Sequence, residues 1–157
     1  MGLFSKKKQT TKFYAICQGE VKDITQACDE VFSQKMMGDG VMVIPQEGVI
    51  LSPSDGEITM VFPTKHAMGL KLEDGTEILL HFGIDTVNLN GEGFHVCVNQ
   101  GDKVKTGDKL WQADLEFIRS HAPSEAMMIV ITTLPQGKQI QKQLGMKKTG
   151  EMFLEIQ

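Results

Sequence analysis

The chain has 157 residues, 41% of them hydrophobic and 23% charged, with a formal net charge of −4. That length suffices for one domain with a buried core, and the mildly acidic balance argues against nucleic acid and suits a basic protein partner. No apolar run reaches transmembrane length, and the three cysteines, Cys17, Cys28 and Cys97, are odd in number with no CxxC, so they read as buried, reduced thiols of a cytosolic protein.

The first segment, MGLFSKKKQTTK at 1–12, reads as a flexible basic tail. Its lysines follow a very short apolar start with no apolar stretch behind them, unlike a secretory signal. Ser5 and Lys6 are out of step with a myristoylation pattern. Leu3, Phe4 and Lys6 to Lys8 could make at most a weak contact with an anionic membrane.

Short apolar or alternating stretches follow: GVMVIP (40–45), GEITMVF (56–62), AMGLKL (67–72), TEILLHF (76–82) and MMIVITTL (127–134). Turn signals separate them at Gly38-Asp39-Gly40, Pro45 to Gly48, Pro53 to Gly56 and Asp74-Gly75. Such spacing predicts an all-β, antiparallel sandwich or barrel. The two Gly-Asp pairs of QGDKVKTGDKL (100–110) bracket one more short strand. A faint echo between residues 19–48 and 56–75 hints at a duplicated β-unit. Only ADLEFIRSHA (113–122) has a helical pattern, with Asp114 as N-cap, and KQIQKQL (138–144) could add one helical turn.

Asp74-Gly75 is the strongest hairpin signal. As a two-residue loop it pairs Leu72 with Glu77, Met68 with His81 and His66 with Gly83. His66 and His81 then become diagonal neighbours, about 7–8 Å apart at Cβ, on a face shared with Met68, Leu70, Leu72 and Leu79. A one-residue bulge would break this register. Two adjacent imidazoles can ligate a metal, act as an acid/base pair or carry a phosphoryl group. No HExxH, HxH, phosphate-binding glycine loop or GxSxG is present. Two histidines alone make a poor zinc site, so no bound metal and no cofactor are expected. His95 and His121 fit no pattern and read as surface residues.

The stretches MGDGVMVIP, SPSDGEITMVFPTKHAMGL, HFGIDTVNLNGEGF and QGDKVKTGD, in this order, resemble the glucose-type enzyme IIA domain of the bacterial sugar phosphotransferase system. The resemblance covers nearly the whole chain, and assigns residues 13–157 to one such domain. It implies an antiparallel sandwich of the duplicated hybrid-motif type, with one or two short helices and a shallow apolar active face. It implies that His81 accepts a phosphoryl group on Nε2 from the phosphocarrier protein HPr and passes it to a cysteine of a sugar-specific enzyme IIB, part of a IIB/IIC permease. His66 is implied as the neighbour that stabilises the phosphoryl group, and Thr64 as the active-site threonine. Asp29 and Asp85 correspond to acidic residues that face the basic phosphocarrier. Val31, Phe32, Met36, Met37, Phe62, Met68, Leu79 and Val87 are candidates for an apolar, partner-binding rim that limits hydrolysis.

Leu79 and Lys65 depart from the family pattern, where Phe and a neutral Asn are common. SEAMMIVI lacks an expected proline. These bear on which sugar is served. The expected molecule is a cytoplasmic, monomeric phosphotransferase. The other reading is a regulatory protein whose docking to transporters or kinases is switched by phosphorylation of His81.

Overall fold

The alternating stretches fold as antiparallel strands, because each has one face to bury. The structure, a computed structural model, describes residues 10–157. In chain order the strands are β1 (Thr11–Tyr14), β2 (Gly19–Asp23), β3 (Asp39–Pro45), β4 (Val49–Leu51), β5 (Gly56–Val61), β6 (Ala67–Lys71), β7 (Glu77–Ile84), β8 (Phe94–Val96), β9 (Lys103–Val104), β10 (Lys109–Ala113), β11 (Ser124–Thr133), β12 (Ile140–Lys142), β13 (Gly145–Lys147) and β14 (Met152–Ile156). Helix α1 (Glu30–Ser33) precedes β3, and α2 (Leu115–His121) follows β10. An eight-stranded sheet runs β13-β2-β3-β11-β7-β6-β5-β9, and two three-stranded sheets run β4-β10-β8 and β1-β14-β12. The result is the open antiparallel sandwich the sequence predicts. Among the described residues no helix is long and apolar enough to cross a membrane.

Strand β11 explains the unbroken apolar run at 126–131. It lies between β3 and β7, and both its faces are covered. Met127, Ile129 and Ile131 join the main core, with Phe13, Leu80, Phe82 and Trp111. Ala126, Met128 and Val130 join a second cluster, with Ile24, Phe32, Met42 and Ile84. Burying both faces favours continuous hydrophobicity over alternation. In β7 the period of two persists: Ile78, Leu80 and Phe82 enter the main core, while Leu79 packs on the second cluster.

Several expectations need correction. Residues 11 and 12, assigned to the tail, lie in β1, and the membrane-contact residues of the tail lie outside the described residues. Within the 138–144 stretch Ile140–Lys142 form β12, paired with β14, and not a helical turn. Helix α2, by contrast, has the expected N-cap: the Asp114 side chain accepts from Phe117 N. Helix α1 was not foreseen. Of the cysteines only Cys17 is buried, and burial pushes its thiol up to about 12; Cys28 and Cys97 are exposed.

The β6–β7 hairpin also differs. The strands pair Ala67 with His81, Met68 with Leu80 and Lys71 with Glu77, one residue off the predicted register. Leu72 N donates to Thr76 O, so Glu73, Asp74 and Gly75 form a three-residue loop. Gly75 takes φ 93° and supplies the left-handed position such a loop needs. Asp74 contributes by accepting from Thr76 N.

Candidate functional site

His81 lies on the outer face of β7, beside the second cluster. Its alternation with Leu80 and Phe82 puts it there. Across the sheet it pairs with Ala67 on β6 and Met128 on β11. Ala67 in turn lies across from Phe62, whose N–H donates to the Ala67 carbonyl. The small Ala67 leaves space between Phe62 and His81. The His66 ring occupies it, with ring centroids 4.9 Å from His81 and 5.5 Å from Phe62.

The pairing register does not bring His66 there. Phe82 N donates to His66 O, so regular alternation would turn the His66 side chain away from His81. His66 instead precedes β6, in a turn where Lys65 adopts φ 62°. The turn, not the hairpin, unites the two imidazoles. The predicted pair is therefore present for a different reason. The shared face is also different: Met68, Leu70 and Leu72 lie in the main core. Met68 is 0% exposed and offers no surface to a partner, which removes it from the rim.

The hydrogen bonds define the ring nitrogens. His81 Nδ1 lies 2.8 Å from Gly83 O. A carbonyl only accepts, so Nδ1 carries the hydrogen, and the lone pair of the neutral ring is on Nε2. Gly83 holds φ 83°, and a Cβ there would come within 2.4 Å of Thr86 Cγ2 and 2.8 Å of Ser124 O; only glycine permits this backbone. His66 Nδ1 lies 2.7 Å from the Thr64 hydroxyl.

Both rings favour neutrality. Burial, then the neighbouring His81, pull His66 down to about 4, against a smaller opposing effect of the Thr64 backbone. Burial pulls His81 below its usual value as well, while the Gly83 carbonyl and the charges of Asp29 and Asp85 oppose it. Asp29 caps α1 by accepting from Val31 N. Asp85 is exposed at φ 56° and makes no capping bond.

Phe32, on α1, places its ring 5.0 Å from His81 at a tilt of 58° and is 6% exposed. It is a wall of the site more than a docking surface. Val31, Met36, Met37 and Val87 are exposed hydrophobics, and Leu79 and Phe62 are half-buried. Met60, 49% exposed, belongs with them and was missed. Strict alternation through GEITMVF puts Met60 on the side of Ile58. A bulge between Ile58 and Met60 turns Met60 to the other face, in a row with Gly69 and Leu79. His95 and His121 are exposed, as expected. Among the described residues no three His, Cys, Asp or Glu side chains are grouped to hold a metal.

A neutral imidazole with its lone pair on Nε2, walled by aromatics and a second imidazole, is chemically able to act as a nucleophile through that nitrogen. Residues 11–136 match the family described as phosphoenolpyruvate-dependent sugar phosphotransferase system, EIIA 1. The chain belongs to this family, and so to the phosphotransferases of the sugar phosphotransferase system. It is 48% identical over 148 residues to the glucose-specific EIIA component of Bacillus cereus, covering 94% of this chain and 89% of that one. It is 44% identical over 143 residues to the glucose-specific EIICBA component of Staphylococcus carnosus, covering 91% of this chain but 21% of that one. Thus it spans about a fifth of the length of such fused relatives. The structure resembles glucose permease IIA from Mycoplasma capricolum, with a TM-score of 0.90 at 36% identity over 94% of this chain and 96% of that one.

Proposed function

We propose that this protein is a phosphoryl carrier in which His81 Nε2 takes the phosphoryl group from the phosphohistidine of HPr. The Nε2 lone pair forms the new P–N bond, and the donor's P–N bond breaks, returning its electron pair to the donor imidazole. His81 keeps its Nδ1–H on Gly83 O throughout. That bond, at 2.8 Å, is the observation that carries the reading, because it leaves Nε2 as the nucleophile. A cysteine thiolate of enzyme IIB then attacks phosphorus and His81 Nε2 recovers its pair. The fused EIICBA names of the relatives support a IIB/IIC partner, and their glucose-specific names support glucose as the sugar.

His66 and Thr64 assist. When the Thr64 hydroxyl donates to His66 Nδ1, the remaining proton of neutral His66 is on Nε2, free to donate to a phosphoryl oxygen. Charge spreads over those oxygens in a loose transition state, so placed donors supply much of the catalysis. Phe32, Phe62 and the partner would exclude water from the phosphohistidine. Asp29 and Asp85 would face the basic carrier, and Val31, Met36, Met37, Met60 and Val87 its apolar contacts. Residues 11–157 act as one enzyme IIA domain, monomeric and cytoplasmic, so that the active face stays free. A regulatory role is compatible: the exposed apolar residues suit docking, and a dianionic group among them would weaken it.

The test is incubation with phosphoenolpyruvate, enzyme I and HPr, followed by addition of a IIB domain, with intact-mass readout. The wild type should gain one labile phosphoryl group and pass it on. His81→Ala should gain none, and His66→Gln should gain one but transfer it at least tenfold more slowly. A wild type that stays unmodified beside phosphorylated HPr would contradict the carrier role.

A further inference from the structure

We propose that Trp111 is a positioning residue for this transfer: its indole N–H holds the turn that presents Thr64 and His66 to His81, an inference that rests on the carrier reading above. Trp111 is the only tryptophan in the chain. It is 0% exposed and sits on β10, the middle strand of the small β4-β10-β8 sheet. His81 is on β7 of the large sheet, and His66 is in the turn that precedes its strand β6. One bond therefore reaches from the opposite layer of the sandwich to the site.

Trp111 Nε1–H donates to Lys65 O at 2.8 Å. Lys65 stands between Thr64 and His66 in a left-handed conformation, φ 62°, that a side-chain-bearing residue adopts at a cost. Such a conformation persists when its surroundings over-determine it. Three hydrogen bonds do so here: Phe62 N to Ala67 O at 3.0 Å, Lys65 N to Phe62 O at 2.8 Å, and the indole bond. The first two close the turn on itself, and only the indole ties it to the opposite layer.

The indole also packs edge-on against Phe82, with centroids 5.7 Å apart at 87°. Phe82 follows His81, and its N–H donates to His66 O at 2.7 Å. One side chain thus touches the residue before His66 and the residue after His81. Any large apolar group could fill this part of the core. A phenyl ring, however, has no donor and would leave Lys65 O without its side-chain partner. The peptide would then be free to swing, loosening the Thr64 Oγ1···His66 Nδ1 contact of 2.7 Å. His81 is held separately by Gly83, so the defect should fall on the His66 side of the site.

Because tryptophan occurs once, biosynthetic replacement is site-specific. Benzothienylalanine keeps the shape and replaces N–H by sulfur, 4-fluorotryptophan keeps the N–H, and Trp111→Phe is a third comparison. Each protein is loaded with phosphoenolpyruvate, enzyme I and HPr. Transfer to a IIB domain is then followed by rapid quench over a range of IIB concentrations, and the histidine rings by 15N NMR. The proteins lacking N–H should still gain one phosphoryl group, then pass it on roughly tenfold more slowly at saturating IIB. Their KM for IIB should be unchanged, the His66 signals displaced and the His81 signals unmoved, and 4-fluorotryptophan should restore the rate. A folded protein without the N–H but with the wild-type rate and His66 signals overturns the inference and leaves the carrier reading standing. A lowered Tm with unmoved His66 signals also overturns it, since that is a packing role alone. If the unsubstituted protein takes up no phosphoryl group, the carrier reading itself fails and the inference with it.

Discussion

A nucleophilic imidazole needs a lone pair at the right nitrogen and at the right pH. Burial supplies the second requirement and one hydrogen bond the first. His66 is 4% exposed and has its value pulled from 6.5 to about 4, so at neutral pH it is uncharged beside an equally neutral His81 and can serve as a hydrogen-bond donor. An NMR titration of the ring signals should give a midpoint near 4 for His66 and one below 6.5 for His81. The sign of the stability effect follows. The unfolded chain binds these protons more readily than the folded one, so stability is full above 6.5. It falls as the pH drops towards the folded value, about 4 for His66. Denaturant midpoints compared at pH 7.5 and pH 5 should show this loss, and His66→Gln should reduce it. A His66 midpoint at 6.5 or above would contradict the buried-neutral account.

The second requirement at the level of elements is that short pieces be held against a rigid sheet. Helix α1 has four residues, too few to stand on propensity, and depends on its cap and on Phe32 entering the second cluster. Asp29 has two roles there, as cap and as a charge near His81. They separate by mutation. Asp29→Asn keeps a capping side chain and should preserve stability while weakening HPr binding and flattening its salt dependence. Asp29→Ala should in addition cost about 1 kcal/mol of stability. Equal HPr affinity for wild type and Asp29→Asn at low salt would exclude the charge role. The same scale decides what could be read from the residues. β7 and β11 were legible because period-two alternation and a doubly buried apolar run are strong signals. α1 was not, being shorter than a helical period needs. Residues 138–144 misled because lysine and glutamine favour helices, and pairing with β14 overrides that preference. Met60 was lost to a bulge that no pattern announces.

Across the whole molecule the site is an agreement between layers. His81 comes from the central part of the large sheet, His66 from a turn at its β5–β6 hairpin, and Trp111, 46 positions from Lys65, from the opposing sheet. Sequence reasoning found the two histidines through a register that is one residue off, and the resemblance of the motifs supplied their roles. It could not find Trp111, whose contribution depends on how the layers stack. Nor could it separate Met68 in the core from the exposed rim, since both are apolar residues near a histidine. The central claim, that the Gly83 carbonyl directs phosphorylation to Nε2 of His81, is tested most directly by 15N NMR on histidine-labelled protein before and after phosphorylation by phosphoenolpyruvate, enzyme I and HPr. The account predicts that one ring changes, that it is His81, and that phosphorus is bonded to Nε2 while Nδ1 keeps its hydrogen. Phosphorus on Nδ1, on His66, or on neither ring would contradict it.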